Sequence, residues 1–95
     1  MSEENTLKIE KEIEIKNELG LHARPAAMFV QAANRFNAKV HVMKDGETIN
    51  GKSIMGVMML AAAKGTKIKV IAEGEDAQKA IDELGQLFIN KFGEE

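Results

Sequence analysis

The chain has 95 residues, with 13 Lys and Arg against 15 Asp and Glu, a formal charge of −2, and no cysteine. That length holds one modest core and excludes a second domain, while the missing thiols exclude disulfides, thiolate metal sites and thiol catalysis. A slightly acidic balance with four Phe as the only aromatics excludes the basic field and stacking platform that nucleic-acid binding needs.

Apolar periodicity predicts alternating strands and helices. Leu7, Ile9, Ile13 and Ile15 alternate with charged residues, apart from Lys11, which predicts a strand buried on one face. Asn17 to Gly20 reads as a turn. From Ala23 to about Phe36, apolar residues at positions 23, 26, 27, 30, 33 and 36 follow helical spacing, with Asn34 and Asn37 marking the exit. Pro25 suits the first turn of that helix, where a missing N–H costs no internal hydrogen bond. Val40 and Val42 precede Asp45-Gly46, a strong hairpin signal, and Glu47 to Asn50 form the return strand. Ser53 opens a short helix to about Leu60, and Gly65 marks a break. Lys67 to Ala72 alternates with Ile68, Val70 and Ala72 inward. Asp76 is a good N-cap for a last helix to about Lys91, with Ala77, Ala80, Ile81, Leu84, Leu87 and Phe88 on one stripe. The order β-α-β-β-α-β-α suits an α+β fold, an antiparallel or mixed sheet with helices on one face.

The segment Gly20-Leu21-His22-Ala23-Arg24-Pro25-Ala26 sits where the strand pattern gives way to the first helix. It puts an imidazole and a guanidinium at a helix mouth, where unpaired N–H groups and the positive end of the helix dipole favour an anion. Arg24 adds a fork of donors matched to phosphate oxygens. Position alone also fits a capping or solvent-facing His22 and a surface ion pair for Arg24, worth about 0–1 kcal/mol. Gly20 and Pro25 read as structural: one permits close approach of backbone, the other fixes helix entry. His41, between Val40 and Val42, reads as a half-exposed strand residue, and no metal-ligand spacing accompanies either histidine. Lys64, Lys67 and Lys69 read as a solvated face.

The stretch Leu19-Gly20-Leu21-His22-Ala23-Arg24-Pro25-Ala26, followed about thirty residues later by Lys52-Ser53-Ile54-Met55-Gly56-Val57-Met58, resembles the HPr family of histidine-containing phosphocarriers of the bacterial phosphoenolpyruvate-dependent phosphotransferase system. The resemblance spans nearly the whole chain and divides it into a flexible extension over 1–6, a carrier domain over 7–92 and a tail over 93–95. It implies an open-faced β-sandwich, a four-stranded antiparallel sheet with three helices on one face. It also implies phosphorylation of His22 on Nδ1 by enzyme I, transfer to IIA-type domains, and phosphate stabilisation by Arg24. No cofactor is implied.

In some branches of that family the serine matching Ser53 is phosphorylated by an HPr kinase/phosphorylase and read by a catabolite regulator. Ser53 is equally suited to capping its helix, worth about 1 kcal/mol. Helical spacing turns Val57 and Leu60 inward and leaves Ile54, Met55 and Met58 at the surface. The family uses matching residues as its docking patch, and flexible methionines repack against successive partners. Leu19-Gly20 leans towards proteobacterial members, including the nitrogen-related NPr branch, whereas the Ser53 motif leans towards kinase-regulated HPr.

The alternatives are thus an NPr-like regulatory carrier, a protein-binding module acting through phospho-Ser53 without His22 chemistry, and a small acylphosphatase-like hydrolase. Retention of His22 disfavours the module, and no second acid, base or Asn is placed for hydrolysis. The acidic start Met1-Ser2-Glu3-Glu4 carries no apolar leader, and nowhere do about 18 apolar residues run together. The expected setting is a cytoplasmic monomer that neither inserts in membrane nor binds nucleic acid and serves protein partners.

Overall fold

The computed structural model describes residues 7–94; the predicted extension over 1–6 and the last residue lie outside them. Four strands, β1 (Lys8–Glu14), β2 (Lys39–Lys44), β3 (Glu47–Asn50) and β4 (Lys67–Glu73), form one sheet in the order β1-β4-β2-β3. Every pairing is antiparallel. Three helices, α1 (Ala23–Ala33), α2 (Ile54–Met59) and α3 (Ala77–Ile89), complete the α+β open-faced sandwich, and a 3₁₀ turn over Lys91–Gly93 follows.

Alternation sets which sheet face is covered. In β2 and β4, Val40, Val42, Ile68, Val70 and Ala72 are buried, as period-two patterning requires. Phe29 of α1 and Ile81, Leu84 and Phe88 of α3 close over them, with the Phe29 and Phe88 rings edge-to-face at 5.9 Å. Lys11 breaks the pattern of β1 without breaking the strand. It shares the register of Ile9 and Ile13, whose β4 partners Ala72 and Ile68 are buried, and its alkyl stem runs over Gly85 of α3. The missing Cβ of Gly85 leaves room for the end of the Lys11 chain, whose residue stays exposed.

Several elements depart from their sequence-based outline. The first helix stops at Ala33 instead of Phe36, and its buried residues are Pro25, Ala26, Phe29, Ala32 and Ala33. Ala23 is exposed, so the buried stripe is shifted around the helix from the one the apolar spacing suggests. Small alanines tolerate either setting, and bulky Phe29 decides it by entering the core. Pro25 is the third helical residue, still within the turn that lacks internal N–H partners. Asp76 does precede α3, but its side chain makes no cap bond. Instead its two oxygens accept from the N–H groups of Asn37 and Ala38, each at 2.8 Å, tying the start of β2 to the start of α3. The second helix ends before Gly65, through Ala61, whose φ is +50°.

Candidate functional site

The site forms where three separate backbone pieces meet. Gly20 adopts φ +69°, and a Cβ there would lie 2.4 Å from the Ala62 carbonyl oxygen and 2.9 Å from Ala63 Cα. Only glycine admits that approach. It lets the Leu21 N–H donate to the Ala62 carbonyl at 2.9 Å, which fastens the loop before α1 to the segment after α2. His22 follows as the N-cap residue of α1, extended in backbone (φ −78°, ψ −170°), with its carbonyl accepting from Ala26 N–H at 3.0 Å and its side chain making no cap bond.

The imidazole is about one-third exposed and held from one side. Its Nε2 lies 3.0 Å from Oε2 of Glu94, 72 residues away in sequence. The other oxygen of that carboxylate accepts from Asn17 Nδ2 at 3.0 Å, and the same Asn17 nitrogen donates to the Gly20 carbonyl at 2.7 Å. Asn17 is, among the described residues, a polar side chain fully withdrawn from water, 1% exposed. Burial of an amide is tolerated because its donors are satisfied. Among the described residues, Nδ1 of His22 makes no hydrogen bond.

Sequence reasoning missed both Asn17 and Glu94. Asn17 reads as a turn residue, and Glu94 falls in what the sequence suggests is a tail. The available signal was Phe92-Gly93, an aromatic residue and a glycine just beyond a helix, which mark a segment that turns back and docks.

Arg24 is exposed on the first turn of α1 and, among the described residues, makes no ion pair, contrary to the resting pair expected for it. Next to the loop, Lys64 Nζ donates to Glu18 at 2.7 Å and holds that carboxyl below the usual range. A shallow depression of about 310 Å³ joins Leu19, Leu21, His22 and Ala23 to Met58 and the Ala61, Ala62 and Ala63 run. Met58 therefore borders the same concavity as His22. On α2, Val57 and Leu60 are buried, while Ile54, Met55, Met58 and also Met59 are exposed by 41, 68, 43 and 70%.

Ser53 caps α2, its Oγ accepting from Gly56 N–H at 3.1 Å. His41 lies in β2 opposite Asn50 and Ile71. No three His, Cys, Asp or Glu side chains among the described residues are grouped to hold a metal ion.

Comparison with known proteins shows what the chain is similar to in sequence and fold. A family model described as the PTS HPr component phosphorylation site matches residues 9–90. The phosphocarrier protein HPr of Treponema pallidum is 46% identical over 85 residues, covering 90% of this chain and 97% of that one. The HPr-like protein Crh of Bacillus subtilis is 50% identical over 76 residues, 80% of this chain and 89% of its own. Its crystal structure, a swapped dimer, superposes with a TM-score of 0.68 at 46% identity, covering 87% of this chain and 94% of that one. The HPr of Thermoanaerobacter tengcongensis superposes with a TM-score of 0.89 at 52% identity over 92% of this chain and 98% of that one. With the family match over most of its length and relatives of this closeness, the chain belongs to the HPr family of the phosphotransferase system, whose members are phosphocarriers and not enzymes.

Proposed function

We propose that His22 accepts a phosphoryl group on Nδ1 from enzyme I, which draws it from phosphoenolpyruvate, and passes it to IIA-type domains. The observation that carries this reading is the asymmetry of the ring: Nε2 is engaged by Glu94, and among the described residues nothing pairs with Nδ1 at the mouth of an 11-residue helix. A relay must take up and release the same group, and an imidazole N–P bond is labile enough for both. The N–H groups of Ala23 and Arg24 have no acceptors within α1, so they and the exposed Arg24 guanidinium supply donors for a dianion. The partial exposure of His22 suits a group that must leave again, with the partner's own side chains completing the transition state.

Ile54, Met55 and Met58 supply the docking surface. Apolar side chains left exposed next to the His22 depression would be covered by each partner in turn. All residues of the site come from one chain, so a monomer suffices, and sedimentation should show one copy. A swapped dimer like that of Crh is the alternative outcome. The setting is cytoplasmic, and no described helix is long and apolar enough to cross a membrane.

The test is incubation with enzyme I and labelled phosphoenolpyruvate. Acid-labile, alkali-stable label is expected on the wild-type protein and on Ser53→Ala, and none on His22→Ala. Label persisting on His22→Ala would refute the assignment.

A second reading, favoured by the likeness to Crh, the catabolite repression HPr of Bacillus subtilis, adds regulation at Ser53 by an HPr kinase/phosphorylase, with a catabolite regulator as reader. A phosphate on Ser53 would put a dianion at the start of α2, next to the apolar docking residues, and oppose docking of an acidic partner. Kinase and ATP should place acid-stable label on the wild type and none on Ser53→Ala, and phospho-Ser53 should slow loading of His22. An unchanged loading rate would remove this reading. Flux to sugar uptake or to nitrogen-type regulation, as in NPr, then depends on which IIA-type domain discharges the carrier.

A further inference from the structure

The carboxylate clasp on His22 has the geometry of a device that sets where the ring proton sits. After α3 the backbone turns left-handed at Lys91 and Phe92 (φ +52° and +54°), and the Phe92 ring is buried edge-to-face on Phe88 at 4.8 Å. That anchor and Gly93 direct Glu94 back to the start of α1, where its side chain is 18% exposed. Among the described residues, the other ion pairs join side chains exposed by 41% or more. Glu94 is further fixed by two partners at once, Asn17 on Oε1 and His22 on Oε2.

We propose that Glu94 is a positioning residue for phosphoryl transfer, holding the His22 proton on Nε2 so that the lone pair of Nδ1 faces the phosphorus; this rests on His22 being the phosphoryl acceptor. A carboxylate can only accept a hydrogen bond, so the ring nitrogen it meets must carry the hydrogen. As Nδ1 attacks, the N–P bond forms and the donor's bond to phosphorus breaks, its electron pair leaving with the donor. The Nε2–H stays in place, and the positive charge that develops on the ring faces the Glu94 carboxylate. Discharge retraces the same path, so one clasp serves both directions.

Asn17 makes the idea sharply testable. Its N–H already donates to one end of the Glu94 side chain, so in Glu94→Gln that end must be the amide oxygen. The amide nitrogen then points at Nε2, donates to it, and drives the ring proton onto Nδ1, the wrong tautomer for attack. Glu94→Ala removes the clasp and imposes no tautomer. The isosteric variant should therefore be the worse one. Loading by enzyme I is expected to slow about ten-fold or more in Glu94→Gln and about two- to three-fold in Glu94→Ala, as when an orienting partner of a working histidine is altered.

Long-range nitrogen–proton NMR of the neutral, unphosphorylated ring should find Nε2–H in the wild type and predominantly Nδ1–H in Glu94→Gln. Nε2–H in Glu94→Gln, or equal loading of all three proteins, overturns the proposal while leaving the carrier reading intact. Wild-type protein that takes no label on His22 overturns both. A clasp that only anchors the tail would lower thermal stability in both variants without exchanging the tautomers.

Discussion

At the scale of single residues, the same side-chain type takes different work according to what lies within reach. Asp76 stands where an N-cap belongs, yet its carboxylate serves two N–H groups from the loop before β2. The Asn37 N–H foremost, opposed by some burial and helped by Ala38, holds this carboxyl below its ordinary value of 3.8. A folded-state pKa below the unfolded one means stability that is complete above the ordinary carboxylate range and is lost as pH falls through the lowered value. In Asp76→Asn an amide oxygen replaces two acceptors and nothing titrates. Urea denaturation over a pH series should find the variant less stable at neutral pH, with a shallower loss of stability on acidification below 3.8 than the wild type shows.

Glycines illustrate how elements constrain one another. At Gly20 the added Cβ would meet backbone of a neighbouring segment, which cannot yield. At Gly85, inside α3, the nearest atoms are the ammonium nitrogen at 3.3 Å and two stem carbons of Lys11 at 3.7 and 3.8 Å, the far end of a flexible chain. Alanine is the better helix former by about 0.8–1.0 kcal/mol. Gly85→Ala should therefore raise stability by about 0.5–1 kcal/mol, read as a higher urea midpoint at unchanged slope, because Lys11 can swing into water. The short α2 depends on context more than propensity. Six residues are too few to hold a helix alone, and the Ser53 cap with the buried Val57 and Leu60 keeps it folded. Its exposed methionines are thus free for another purpose.

For the whole molecule, the end of the chain completes the beginning. Phe92 is buried to 2% exposure and packs edge-to-face on Phe88, which in turn meets Phe29 of α1. Phe92→Ala should cost about 3 kcal/mol by denaturation, at the low end for a buried aromatic because a terminal turn can fray locally. The same substitution should release Glu94 and so slow His22 loading to the rate of Glu94→Ala, coupling a packing change to a chemical one.

Much of the fold was legible in the sequence because its signals are local. Period-two runs in β2 and β4, the Asp45-Gly46 turn and the stripe of α3 each lie within one element, and His22 with Arg24 and Pro25 sits in seven consecutive residues. The exact stripe of α1 was less so, since alanines on several faces leave its rotation to Phe29.

The sequence by itself determined the order of elements, the family motif and the likeness of Ser53 to a cap, since backbone preference and side-chain period act over a few residues. Only the tertiary structure decided that Asn17, Gly20, His22 and Glu94 form one hydrogen-bonded unit and that Asp76 ties two loops together. Those contacts join residues up to 77 positions apart, and no local preference encodes a distance that packing alone creates.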